Sequence, residues 1–398
     1  MNQFNLRSVI LDNPGEVKDF LDKYIHCDDY GTAYMSRKSG VMNIMAENVR
    51  VPACNILKQN MLSIGGEVAV HRDVIVKTEG RYPVLIMGTR EQIKALIKKI
   101  KPQMFGLPQL AEELTEILAA ALPRSKRVIP YNGGELVFGE KTLVMGILNC
   151  TPDSFSDGGQ WFDLDKAVEH AIDMEQAGAD IIDIGGESTR PGSAPVNAEA
   201  EMARVIPVIK ALKGKLRVPI SIDSYKAVTA KAALDAGAHI INDVWGLQSD
   251  PAMAQVAAEY KCPVIVMHNK TEAKYDNFMG EVLAFLRQSL ALGLAAGCRK
   301  EQFVVDPGFG FGKNMEHNLI ITKKLRELAV LDCPILMAAS RKKTVGLVLD
   351  APADQRQEGD AAITALSIMG GADLIRVHDV KEMVKVAKMA DAVMAANY

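Results

Sequence analysis

The sequence predicts an α/β protein, a (β/α)8 TIM barrel over residues 143–398 preceded by a small α+β domain over residues 1–125. Three observations predict it. From Leu143 onward, short β-branched runs alternate with helical stretches at a spacing of roughly thirty residues, the size of one βα unit. Eight such units can be counted, which matches a closed barrel. The first 125 residues do not share that rhythm.

The eight strand candidates are Leu143–Asn149, Asp180–Ile184, Pro219–Asp223, Ile240–Asp243, Pro263–His268, Phe303–Asp306, Pro334–Ser340 and Asp373–His378. Between them, apolar residues recur at helical spacing, as in Asp165–Ala177 and Pro251–Tyr260, each opened by a polar or Pro start signal. Several of these helices end in Ala177-Gly-Ala, Ala236-Gly-Ala or Gly371-Ala, where glycine supplies a left-handed cap at little steric cost. A doubly wound open sheet would share this periodicity. The missing GxGxxG after the first strand argues against it. The stretch 126–142, with Tyr131-Asn-Gly-Gly, reads as a linker leading into the barrel. In the first domain, helices are expected at Pro14–Tyr24, Pro52–Gly65 and Arg90–Lys99, and strands at Val74–Thr78 and Val84–Gly88. Ser63–Asp73 reads as a turn into a strand, and the basic helix from Arg90 as a solvated face over a core stripe.

Composition narrows the classes. With 48% apolar and 24% charged residues the chain can bury a large core. A net charge of −3 gives no global field for nucleic acid or anionic lipid, so an anion site has to be built locally. The six cysteines form no CxxC pair and no zinc-type cluster, and read as reduced thiols of a cytoplasmic protein. No signal-like h-region opens the chain and no 18 apolar residues run together, so neither secretion nor membrane spanning is expected.

In a parallel barrel the carboxyl ends of the strands share one mouth, where active sites are built. Polar residues stand at nearly every such end: Asn149, Gly185–Arg190, Asp223, Asn242-Asp243, His268, Asp306, Ser340-Arg-Lys342, and Arg376 with His378. For any one of them a helix cap or a solvated charge is the better explanation. Eight converging on one mouth is what that explanation handles badly. Asp223, Asn242, Asp306 and Lys342 offer donors and acceptors for a flat, nitrogen-rich heterocycle, since a carboxylate can accept two parallel N–H bonds from an amino-pyrimidine edge. Arg190, Arg376 and His378 suit a phosphate or diphosphate.

Five blocks in order carry a resemblance. Leu148–Gly159 and Asp183–Gly192 resemble the first two signatures of dihydropteroate synthases. Asp306–Lys313, Ser340–Lys342 and Arg376–His378 resemble three more, so that the likeness spans residues 141–398. The resemblance implies that (7,8-dihydropterin-6-yl)methyl diphosphate condenses with 4-aminobenzoate to 7,8-dihydropteroate and pyrophosphate. It implies that Asp223, Asn242, Asp306, Lys342 and Met267 hold the pterin. Asn149, Arg190, Arg376 and His378 would hold the diphosphate, with Asn149 ligating Mg²⁺. Phe155, Thr189, Pro191, Phe311 and Ser340, with Lys342, would frame the aminobenzoate pocket. Asp157 would steady a cationic intermediate, and Lys342, Arg376 and His378 would join it in catalysis. The implied route is dissociative: the C–O bond breaks first, and the aryl amine then attacks the pterin methylene cation. Sulfonamides would compete with aminobenzoate, and a helix-mediated homodimer is implied.

Three departures stand out. Cys150 replaces an expected valine, Met267-His-Asn-Lys-Thr271 replaces an expected Met-His-Met-Gln-Gly, and about 130 residues precede the first signature, where the family is expected to begin close to it. That segment reads as a docking or regulatory domain. A methyltetrahydrofolate–corrinoid methyltransferase would share Asp223 and Asn242 but has no use for Ser340–Lys342 or the Arg376/His378 pair. A silent pterin-binding paralogue could lose Asn149 and Arg376 freely, and both are present.

Overall fold

The computed structural model describes residues 9, 11, 13–120, 126–151, 164–188 and 195–396. The chain divides into two compact units at Arg124/Ser125.

The first unit is built on a three-stranded antiparallel sheet. Strands β1 (Met42–Arg50), β2 (Glu67–Val70) and β3 (Arg81–Gly88) lie in the order β1-β3-β2. Helices Val51–Leu62, Arg90–Ile100 and Leu107–Ala120 close its core of Leu57, Met61, Val68, Ile86, Leu96, Ile100 and Leu114. Shorter helical segments, Pro14–Phe20, Leu21–Ile25 and Asp29–Ser36, precede the sheet. The helix from Arg90 begins with a reciprocal Thr89/Gln92 cap and buries Ile93, Leu96 and Ile100 at the expected period. The strand expected at Val74–Thr78 is instead a 3₁₀ turn, Arg72–Ile75. The side chain of His71 accepts from Asp73 N–H at 3.2 Å, and Lys77 pairs with Asp73 at 2.8 Å. Only Val74 reaches the core, while Ile75 and Val76 are exposed, so β-branched composition had no face to bury. The sequence reading missed β1, which is interrupted by polar residues. Its bulge between Ala46 and Val49, with Asn48 at φ 57°, lies opposite Pro83, which has no N–H for the ladder.

The second unit is the barrel. Stretch 126–142, expected as a linker, contains a hairpin of β4 (Arg127–Tyr131) and β5 (Gly134–Phe138) joined by Asn132-Gly133. Gly133 at φ 105° meets the backbone demand of so short a turn. Its Ile129, Leu136 and Phe138 pack with Leu143, Met145, Ile181, Ile240, Ile265, Val304, Leu336 and Leu374. Those partners belong to the first residues of the barrel strands, so the hairpin fills the amino-terminal end.

The strands follow as β6 (Leu143–Asn149), β7 (Ile181–Gly185), β8 (Ile220–Asp223), β9 (Ile240–Asp243), β10 (Val264–Met267), β11 (Phe303–Asp306), β12 (Leu336–Met337) and β13 (Leu374–Val377). All neighbours are parallel, in the order β11-β10-β9-β8-β7-β6-β13-β12. A bridge between Val305 and Ile335 joins the two ends and closes the ring. The expected barrel is therefore present. Its seventh strand is two residues long where seven were expected. Helix Phe278–Ala295 has the length and apolarity of a membrane span. Its Val282, Leu286 and Leu290 belong to the barrel core, and a Cβ on Gly293 would lie 2.3 Å from the Phe303 ring, which accounts for that apolar face by packing. The six cysteines are free thiols, five of them buried.

Candidate active site

Because the strands are parallel, Asp183, Asp223, Asn242, Asp306 and Arg376 emerge toward one end of the barrel. Arg376 spans two acids there. Its Nε donates to Asp183 Oδ2 at 2.6 Å and its Nη2 to Asp223 Oδ2 at 2.6 Å. Asn242 Nδ2 also donates to Asp183 Oδ2, at 2.9 Å. Burial pushes the Asp223 carboxyl upward, and the guanidinium draws it back toward ionisation. The remaining oxygens, Oδ1 of Asp183 and Oδ1 of Asp223, are buried and have no hydrogen-bond partner among the described residues. Orphaned buried acceptors are costly, so they mark a place where donors are meant to arrive.

The opposite wall is the turn 306–313. Asp306 Oδ1 accepts from Gly308 N–H at 2.7 Å, which bends the chain at the strand end. Gly308 (φ 71°), Gly310 (φ 84°) and Gly312 (φ 55°) all need left-handed backbone. A Cβ at Gly308 would stand 1.9 Å from His268 O, and one at Gly312 would stand 2.2 Å from Lys270 O. The glycines thus press the turn flat on the loop after β10. Lys342 Nζ donates to Phe309 O and lies 4.5 Å from the centre of the Phe311 ring. Its burial lowers the ammonium to about 8, against the pull of Asp306. Burial raises Asp306, opposed first by Lys342.

A second cluster forms from β12 and β13. His378 N–H donates to Ser340 Oγ at 3.2 Å, and His378 Nδ1 lies 3.1 Å from the same oxygen. Arg341, at φ 57°, turns away to pair with Asp379. Asn149 is half-buried at the end of β6, and Met267 is buried beneath the turn glycines.

Asn149, Asp223, Asn242, Met267, Asp306, Phe311, Ser340, Lys342, Arg376 and His378 are thus gathered at the strand ends. Asp306 and Arg376 share one electrostatic field rather than opposite faces. Phe155, Asp157, Thr189, Arg190 and Pro191 lie outside the described residues. Arg376, expected at the phosphates with His378, is seated between Asp183 and Asp223, because two buried carboxylates compete well with solvent for its donors.

Two members escaped the sequence reading. Asp183 carries a charge inside Ile181-Ile-Asp-Ile, which was the available signal. Lys313, the last residue of its block, lies 2.8 Å from His268 Nδ1 and donates to Phe311 O at 3.1 Å. A further buried network, in which Lys226 bridges Glu187 and Glu201, anchors the chain just after β7. Cys150 is fully buried, its thiol pushed up to about 12, and it fills the place of a small apolar residue. In the departure after β10, Asn269 Nδ2 donates to Val244 O at 3.0 Å and Lys270 pairs with Glu281 at 2.9 Å, so both residues brace the loop.

No cluster of three His, Cys, Asp or Glu side chains able to hold a metal occurs among the described residues. A Mg²⁺ carried chiefly by substrate phosphate oxygens and water needs only one or two protein oxygens. The Asn149 amide, half-buried at the mouth, fits that requirement.

Comparison with known proteins agrees with this geometry. The family model for pterin binding enzymes matches residues 145–378. The dihydropteroate synthase of Bacillus subtilis is 49% identical over 268 residues, covering 67% of this chain and 94% of that protein. The structure of Xanthomonas albilineans dihydropteroate synthase with 4-aminobenzoic acid superposes with a TM-score of 0.66 at 39% identity, covering 68% of this chain and all of that one. A probable bifunctional folylpolyglutamate synthase/dihydropteroate synthase of Halobacterium salinarum is 38% identical over 390 residues, covering 96% of this chain and 46% of that protein. The segment before the barrel therefore has a counterpart in at least one relative, and its presence is no departure from the family as a whole. The chain belongs to the pterin-binding enzymes, and among them to the dihydropteroate synthase family.

Proposed function

We propose that this enzyme joins (7,8-dihydropterin-6-yl)methyl diphosphate to 4-aminobenzoate, forming 7,8-dihydropteroate and releasing pyrophosphate. The observation that carries the reading is the pair of orphaned oxygens, Asp183 Oδ1 and Asp223 Oδ1, beside the Asn242 amide. An amino-pyrimidine edge presents parallel N–H donors that would satisfy such buried acceptors with charge-assisted bonds. Asp306 and Lys342 would complete the pterin site from the facing wall, with Met267 beneath. A ring held this way leaves its methylene toward the mouth, where Asn149 and His378 stand; with Arg190 they would form the diphosphate group. Arg376, already held at Nε and Nη2 by two acids, would carry its charge between ring and leaving group.

Asn149 would hold Mg²⁺, which when bound supplies positive charge to the diphosphate. The chain's own work is positioning and electrostatic stabilisation of separating charge, with no covalent enzyme intermediate. Asp157 would steady the positive charge developing on the pterin. The aryl amine would approach from a pocket walled by Phe311, Phe155, Thr189 and Pro191, its carboxylate directed toward Ser340. Sulfonamides share that aryl amine and would compete for the same wall.

The enzyme is taken to act in the cytoplasm, where free buried thiols persist, and as a homodimer. The first unit is assigned a docking or regulatory role. Removal of residues 1–124 should leave the reaction and alter the oligomer or its control; an unchanged oligomer with full, identically regulated activity would eliminate that role. The reaction itself is tested by pyrophosphate release dependent on 4-aminobenzoate, with formation of dihydropteroate in equal amount.

A further inference from the structure

Lys313 is a half-buried lysine to which nothing above gives a task. Its ammonium is lowered to about 7, chiefly by burial, and Asp306 opposes that shift. It nevertheless makes two directed contacts, to His268 Nδ1 and to Phe311 O. His268 is itself buried, its ring edge-on to Phe285 at 5.0 Å, and its pKa is pushed down to about 3, so the imidazole is neutral at working pH. A neutral imidazole has one lone pair, and a Lys313 ammonium at 2.8 Å would call for it at Nδ1.

Asp183, Asp223 and Asp306 are buried acids, and Arg376, Lys342 and Lys313 are the basic side chains that face them. Asp306 interacts with all three cations. Mechanically, the turn 306–313 is held from both sides. Lys342 grips Phe309 O and faces the Phe311 ring, while Lys313 grips Phe311 O and the loop after β10. The contacts of Gly308 and Gly312 with His268 O and Lys270 O show how closely the two loops are laid together.

We propose that Lys313 is a positioning residue of the pterin pocket: pinned between His268 Nδ1 and the Phe311 carbonyl, it fixes the 306–313 turn so that Asp306 meets the pterin and Phe311 walls the aminobenzoate. The inference deepens the reading of the active site given above and rests on it. The pair acts through the turn and touches neither substrate.

The test uses full-length enzyme labelled with ¹⁵N-histidine, together with steady-state kinetics. In the wild type His268 should show the Nε2–H tautomer alone. Lys313→Met should yield a tautomer mixture, raise KM for the pterin diphosphate about tenfold and change kcat less than about threefold, the pattern of lost binding without lost chemistry. His268→Phe should raise KM similarly, and His268→Gln, which keeps an acceptor, should recover most of that loss. An Nδ1–H tautomer in the wild type, or equal kinetics for the Gln and Phe variants, would overturn the proposal. Should Lys313→Met fold poorly, the two His268 variants decide alone. A wild-type enzyme that forms no dihydropteroate would overturn the functional reading, and with it the pocket the pair serves; the histidine spectrum reads the pair itself.

Discussion

Removing the guanidinium of Arg376 while keeping its aliphatic stem, as in Arg376→Met, tests the buried cluster most severely. The variant leaves Asp183, fully buried, and Asp223, 7% exposed, facing each other without their shared cation. Breaking a buried pair by deleting one partner costs about 3–5 kcal/mol. The barrel unit, Ser125–Ala395, is large enough that 1 kcal/mol moves its melting temperature by about 2 °C, so a fall of about 6–10 °C is expected. The pH dependence has a definite sign. Without Arg376 the Asp223 carboxyl rises further above its unfolded value, and the folded variant holds a proton that the unfolded chain has released. The variant therefore loses stability as pH rises above the ordinary carboxylate range. Thermal unfolding of both proteins at pH 5.5 and pH 8 should give a wider gap at pH 8. A gap that is constant, or that widens on acidification, would refute the reasoning. Turnover should fall by about 10²–10³, the usual loss for one preorganised electrostatic group, with the circular dichroism of the fold retained.

Other substitutions probe separate parts of the site. Asp306→Ala removes both the acceptor that bends the turn and the pterin carboxylate, and calorimetry should detect no pterin binding; wild-type affinity would reject that role. Gly308→Ala puts a Cβ 1.9 Å from His268 O at a φ of 71°, where left-handed backbone alone costs about 1–2 kcal/mol. Its melting temperature should fall by several degrees, with a raised KM for pterin. Ser340→Ala takes away the oxygen shared with His378 and should raise KM for 4-aminobenzoate more than for pterin. Chelation of Mg²⁺ should suppress turnover reversibly while leaving the melting temperature within about 1 °C, since one half-buried amide contributes little to folding.

The barrel was legible because its signal is periodic and repeated eight times. Seven of the eight strands begin and end within a residue of where β-branched runs placed them. The seventh shrank to Leu336–Met337 because the residues after it leave the sheet: Ser340 meets His378, and Arg341 turns through φ 57° to reach Asp379. The hairpin of β4 and β5 was read as a linker, since its Asn132-Gly133 turn was visible but its apolar partners lie up to about 245 positions away in the chain. β1 escaped because Asn43, Glu47 and Asn48 broke its alternation. In the site, residues at strand ends could be found by position. Asp183 could not, because it sits within the strand, and Lys313 could not, because its partner His268 is 45 residues earlier. The seat of Arg376 between two acids required knowing that β7, β8 and β13 bring these side chains to one point.

The central claim is that one cavity holds a pterin diphosphate and an aryl amine for direct transfer. The measurement that tests it most directly is product formation by the purified full-length enzyme with Mg²⁺, following pyrophosphate and dihydropteroate together. The account predicts both products in one-to-one amount only when 4-aminobenzoate is present, and loss of both in Arg376→Met. Pyrophosphate without dihydropteroate, or neither product from the wild type, would contradict it.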